Sequence, residues 1–229
     1  MTREIKANLY FFFIDIKSSV LIFWSIFMAS VVALLIIANL FETHVIISPL
    51  MAVCIYCSIV GFFFTKKTMP YCIKFGATRT TFHLSASIFL VLFAISMALI
   101  NFGIDIIVEY LTTTFQIEAI QLLAPTDALL TSSSWIQTIG SDSILIFFFF
   151  CSSYLTGSIV YRFGQIGGYI PIAMLLIAVL MPGTQEILFT FIRNFSTQFT
   201  YNMTMISLTA ILLLSISWLF LVRASSRPA

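Results

Sequence analysis

Residues Lys66 to Phe82 read KKTMPYCIKFGATRTTF, and the fold turns on how this stretch is placed. It carries Lys66, Lys67, Lys74 and Arg79 with no acid, and it lies between two long apolar segments. Basic loops between membrane segments face the cytoplasm. Pro70 suits the first turn of a short helix and Gly76 suits its end. Tyr71, Ile73 and Phe75 can lie against the membrane surface while the cations stay wet. The expectation is a small basic knuckle on the cytoplasmic face, within a coupling loop over 65–82.

Working outward, the chain has 229 residues, 60% of them hydrophobic and only 9% charged, too little polar surface to cover a soluble core. Six apolar segments can be placed: Val20 to Leu40, Ser48 to Phe64, Phe82 to Ile104, Ile144 to Tyr161, Tyr169 to Met181 and Thr204 to Val222. Most approach the roughly 20 residues that cross a bilayer core of about 30 Å. The fifth, boxed between Gly167-Gly168 and Pro182-Gly183, is short, and the exoplasmic stretch 183–203 is read either as dipping back into the outer leaflet or as a surface helix. The fold class is therefore all-α and polytopic, with a six-helix transmembrane domain over 20–222 and a cytoplasmic tail over 223–229.

Ahead of the first segment, Ile5, Leu9, Phe12, Phe13, Ile16 and Val20 fall on one arc of a helix, with Arg3, Glu4, Lys6, Asn8, Asp15 and Lys17 off it. Residues 1–19 thus read as an interfacial elbow helix. The apolar run that follows is too long for a signal peptide, and no cleavage site follows it.

The charges orient the bundle. With both termini cytoplasmic, Arg3, Lys6, Lys17, Lys66, Lys67, Lys74, Arg79, Arg162, Arg223 and Arg227 lie inside and Arg193 alone lies outside. Glu42, Asp105, Glu109, Glu118, Asp127, Asp142 and Glu186 fall outside. The inverted orientation places nearly every cation on the wrong side. The outer connection 105–142 reads as amphipathic helices broken near Pro125-Thr126-Asp127, its acids either meeting cationic cargo or simply obeying the charge rule.

At the knuckle, Phe75-Gly76-Ala77-Thr78-Arg79, followed by Thr80, Thr81 and Phe82 at the mouth of an apolar helix, resembles a short signature of bacterial ABC-2-type permeases, the membrane subunits of ATP-binding-cassette exporters. The resemblance implies that this loop is a coupling element docking on a separate cytoplasmic ABC ATPase, with Lys66, Lys67, Pro70, Lys74, Phe75, Gly76, Ala77, Thr78 and Arg79 as its residues. It also implies a second copy of the chain, with spans 1 and 5 near the dimer interface, and residence in the bacterial cell membrane. Small-xxx-small spacings that permit close helix contact occur at Ala29 and Ala33, at Ala94 and Ala98, and at Gly164 and Gly168. Lys74 and Arg79 have a plainer reading as partners of anionic lipid headgroups.

Several classes are disfavoured. The six segments contain no Asp, Glu, Lys or Arg, and their one histidine, His83, stands at the cytoplasmic mouth of the third, whereas ion-coupled carriers usually hold an ionisable group at membrane depth. There is no phosphate loop of the G-x-x-x-x-G-K-[ST] type, so ATP and Mg would be bound by the partner ATPase and no cofactor by this chain. His44 and His83 fall on opposite faces, and neither G-x-S-x-G nor H-E-x-x-H occurs, so catalysis by the chain itself is not expected. Cys54, Cys57, Cys72 and Cys151 read as packing residues, without a disulfide or metal. The sequons at Asn194 and Asn202 would face outward. A net charge of +2 gives no reason to expect nucleic acid. Apolar spans rich in Phe and dotted with Ser and Thr suit an amphipathic or hydrophobic peptide or lipid-like cargo. A channel or scaffold subunit outside the ABC class fits the same spans.

Overall fold

The computed structural model describes residues 2–41, 45–114, 120–122, 134–181, 186 and 199–222. The segment 183–203 lies mostly outside them. So do the tail 223–229, the break at Pro125-Thr126-Asp127, His44, Glu42, Glu118, Arg193 and the sequon at Asn194.

Almost every described residue is helical. α1 spans Thr2–Phe41, α2 Pro49–Phe63, α3 Met69–Lys74, α4 Arg79–Thr114, α5 Trp135–Leu180 and α6 Phe199–Val222. Two three-residue strands, β1 (Val45–Ile47) and β2 (Ile120–Leu122), pair in parallel with Val45 opposite Ile120. Among the described residues, five helices are long and apolar enough to cross a membrane: Arg3–Ile37, Pro49–Lys74, Arg79–Thr114, Trp135–Gly164 and Phe199–Val222.

Three expectations change. The elbow between residues 19 and 20 is absent: α1 runs through it as one helix of 40 residues, about 60 Å long. No Gly or Pro lies between Thr2 and Phe41 to interrupt the hydrogen-bond ladder. The basic loop 65–82 is mostly helix as well. α2 passes through a π-helical turn, Phe64–Thr68, straight into α3, so Lys66 and Lys67 project from a continuous rod. Pro70 has no N–H to donate to Lys66, and the wide turn, closed by Met69 N–H on the Phe64 carbonyl, takes up the misfit. Lastly, α4 continues to Thr114 and α5 begins at Trp135, so the outer connection is 115–134 rather than 105–142.

Side-chain contacts set the helix directions. Asn8 and Phe12 of α1 meet Ser85, Phe82 and Phe89 of α4, and farther along Val31 and Leu35 join Ile104 and Val108; α1 and α4 run parallel. α2 opposes α1, with Phe64 on Phe12 and Tyr56 on Ser19 and Phe23. α5 starts parallel to α2, where Gly61 lies against Phe150 and Gly157 against the Phe62 carbonyl. α6 runs the same way and ends with Trp218 on His83 and Val222 on Arg79. The start of α1 and the end of α6 therefore sit at one end of the bundle, called inner below.

α5 is two helices in one. At Gly164, φ is 70° and ψ is −162°, and the chain doubles back so tightly that a β-carbon on Gly167 would lie 2.9 Å from the Ile159 carbonyl oxygen. A left-handed φ of this kind is what glycine allows. The second limb, 165–180, covers about 24 Å and falls short of a full span. The core is rich in aromatic rings from α1, α2, α4 and α5, whereas large apolar side chains such as Leu21, Ile26, Leu92, Leu208 and Leu212 point outward. An apolar exterior over an aromatic interior is what a bilayer solvent selects.

Candidate functional site

The stretch Phe75-Gly76-Ala77-Thr78-Arg79 forms the corner between α3 and α4, and each residue has a local task. Phe75 closes α3, and Gly76 takes φ 89°. Its N–H donates to the Ile73 carbonyl at 3.0 Å, while Ala77 N–H donates to the Cys72 carbonyl at 3.0 Å. This is a Schellman cap, which satisfies carbonyls left over at a helix end. Thr78 then opens α4: its Oγ1 accepts from Thr81 N–H at 3.2 Å and its carbonyl from Phe82 N–H at 2.9 Å.

Arg79 follows as the first residue of α4, where a cation opposes the helix dipole. Its guanidinium leaves that end and donates to the Val222 carbonyl at 3.0 Å, at the negative end of α6. Beside its expected roles in docking an ATPase or meeting anionic lipid headgroups, Arg79 ties two helix termini together in the fold.

α1 completes the corner. Phe11 rests edge-on against Phe75 with ring centroids 6.3 Å apart, and Thr68 Oγ1 donates to Asp15 Oδ2 at 3.2 Å. Between them is a cleft of about 370 Å³ lined by Glu4, Asn8, Phe11, Cys72 and Ala77 among others. Phe75 nevertheless remains 80% exposed, beside the exposed Tyr71 and Lys74. Lys66, Lys67, Thr78 and Thr80 are exposed too, while Pro70, Ala77 and Arg79 are half-buried. The cations lie on rings: Lys67 is 4.8 Å from the Phe63 centroid, and Arg162 is 5.0 Å from Phe163 and 5.7 Å from Phe220. Cations seated on aromatic faces hold the level of a membrane–water boundary. Chemically the corner offers positive charge and one bare aromatic ring on a stiff junction of three helices.

Beyond the corner, the inner end buries Tyr154, whose hydroxyl meets His83 Nδ1 at 3.3 Å and whose carbonyl accepts from Thr65 at 3.3 Å. The proposed dimer residues divide. Ala29 and Ala33 are exposed on α1, whereas Gly164 forms the hairpin of α5 and Gly168 packs on Val160 of the same chain. Ala94 and Ala98 are core residues. All four cysteines are buried and unlinked. Asn202, near the start of α6, is buried.

The outer end holds a group that sequence reasoning placed in a solvated loop. Because α5 starts at Trp135, Asp142 lies two turns inside it and is 3% exposed. Asn101 of α4, 1% exposed, donates from Nδ2 to Asp142 Oδ2 and to Asp105 Oδ2, both at 3.2 Å. Its Oδ1 is buried with no hydrogen-bond partner. The helix therefore carries an ionisable group two residues ahead of the apolar limit read at Ile144. The missed signal was Ser134-x-x-Gln137: Gln137 Oε1 accepts from Ser134 N–H at 3.2 Å, marking a helix start well before Ile144.

No protein-family model, no curated protein and no solved structure significantly matches the chain.

Proposed function

We propose that the chain is the transmembrane subunit of an ATP-driven exporter of the ABC-2 kind. Six passes would place both termini in the cytoplasm of a bacterial cell, two copies would flank the pathway, and separate ATPases would dock on the corner between α3 and α4. The observation that carries the reading is the corner itself, where a bare Phe75 and a group of cations stand on a junction linked to α1, α4 and α6. A push delivered there reaches three helices at once.

Six passes are favoured by direction. α5 arrives at the inner end by Arg162 and turns back at Gly164, and α6 starts at the outer end, which supports a further crossing between them. The described cations Arg3, Lys6, Lys17, Lys66, Lys67, Lys74, Arg79 and Arg162 all sit toward the inner end, which the charge rule assigns to the cytoplasm. The groove between α1 and α4, lined by Phe13, Leu21, Phe89, Leu92 and Met97 with Lys17 at its edge, suits an amphipathic or lipid-like cargo.

The test is capture from the native host with the detergent-solubilised chain, wild type against the double variant Lys74→Glu, Phe75→Ala, read by mass spectrometry. Both side chains are exposed and neither makes a hydrogen bond of the helix cap, so the changes remove the surface and the Phe11 contact while the turn itself is kept. A phosphate-loop ATPase captured by the wild type and lost by the variant supports the proposal. Absence of any such ATPase overturns it in favour of a channel or scaffold subunit.

A further inference from the structure

Two hydrogen bonds stitch α1 to the rod of α2 and α3, and a groove opens beside them. Tyr56 Oη donates to Ser19 Oγ at 3.0 Å, and Thr68 Oγ1 donates to Asp15 Oδ2 at 3.2 Å. The groove holds about 440 Å³, with Asp15 on α1, Lys67 on the rod, and the hydroxyl-bearing Ser19, Tyr56, Thr68 and Tyr71 around them. Lys67 Nζ stands over the Phe63 ring, as a cation does at a membrane–water boundary. Asp15 shares that level, because its partner Thr68 is the residue after Lys67. A carboxylate and an ammonium on facing helices at headgroup depth complement a headgroup that itself carries both signs.

Apolar surface continues from the groove. Phe63 and Ile59 line it, and Ile55 and Met51 extend the same exposed ridge along α2 at four-residue spacing. From Phe63 to Met51 the ridge is about 18 Å long. The hydrocarbon of one leaflet is about 15 Å deep, half of a bilayer core. The ridge is therefore long enough to seat an acyl chain.

We propose that this groove holds one phospholipid with a primary-amine headgroup, its ammonium on Asp15, its phosphate on Lys67 and an acyl chain along the α2 ridge. The carboxylate selects the amine, because it accepts N–H donors and a quaternary choline has none. Choline is held instead by open aromatic faces. The rings at this mouth, Phe63 and Tyr71, already carry Lys67 and Lys74. A headgroup with a phosphate and no amine satisfies Lys67 but meets like charge at Asp15. Neither an ATPase nor transport is needed for the lipid to bind, so the site stands apart from the exporter proposal.

Native mass spectrometry of the full detergent-purified chain, titrated with phosphatidylethanolamine, phosphatidylcholine and phosphatidylglycerol of identical acyl chains, counts the lipids that stay bound. The wild type is expected to hold the ethanolamine lipid about tenfold more tightly than either of the others, the worth of one charge-assisted hydrogen bond. Asp15→Asn, whose amide oxygen still accepts from Thr68, should erase that preference. Lys67→Gln should weaken the ethanolamine and glycerol lipids together. Equal retention of all three lipids by the wild type means annular lipid only and overturns the site, as does a preference that survives Asp15→Asn. Should Asp15→Asn fail to insert, unchanged ethanolamine-lipid binding in Lys67→Gln overturns it equally.

Discussion

The inner end of the bundle is held by rings and the outer end by amides and acids. At the inner end Phe12, Phe64, Phe82, Phe89 and Tyr154 interlock, with Phe12 and Phe64 only 4.6 Å apart between centroids. At the outer end the apolar cluster shrinks to Val31, Leu35, Ile104 and Val108, and the seam between α4 and α5 runs through Asn101. In lipid, apolar burial gives little net drive, so association rests on close packing and on polar contacts sheltered from water. The two ends use these two resources separately.

The contrast can be broken hardest at Phe12, which is fully buried against Phe64, Phe82 and Phe89. Phe12→Ala is expected to lower stability by about 3 kcal/mol in thermal unfolding of the detergent-purified chain, and Leu35→Ala at the outer end by only about 2 kcal/mol. Equal losses would erase the asymmetry. Next comes the seam of α2 and α5, where a β-carbon on Gly157 would sit 2.7 Å from the Phe62 carbonyl oxygen and 3.3 Å from Thr65. Gly157→Val should destabilise by about 2 kcal/mol through overpacking. A neutral result would mean that these helices slide apart easily.

Smaller effects sharpen the picture. Gly76→Ala forces a side chain into φ 89° with open space around it, so only the backbone penalty applies, about 1 kcal/mol. A larger loss would show that the corner is packed more tightly than its exposure implies. Lys66→Ala removes an exposed cation and should change stability by less than about 0.5 kcal/mol. Any effect of that substitution on ATPase capture would then be a surface effect.

Local rules explain what the sequence disclosed and what it hid. Pro70 and Gly76 act on their own few neighbours, so the short helix and its end could be read directly, while α4 starts at Arg79, three residues ahead of the apolar limit read at Phe82. Placing Lys66 and Lys67 in a loop failed because apolar content, rather than backbone continuity, was used to end the second segment. The elbow in α1 failed likewise: a change of polarity at residue 19 does not bend a helix that lacks Gly and Pro. Asp142 was hidden for a different reason. Its partner Asn101 is 41 residues away, and the pairing exists only once α4 and α5 both extend past their apolar limits. The resemblance to the permease signature rests on residues that any capped helical corner would favour, which is why the corner was legible while its partner was not.

The short parallel ladder between β1 and β2 fastens the outer exits of α1 and α4, which arrive side by side. Two rods clamped at one tip cannot shear past each other; they can only swing. α4 has 36 residues, a lever about 54 Å long, so one degree of rotation at the ladder moves Arg79 by about 1 Å. Travel is therefore greatest at the basic corner and vanishes at the clamp.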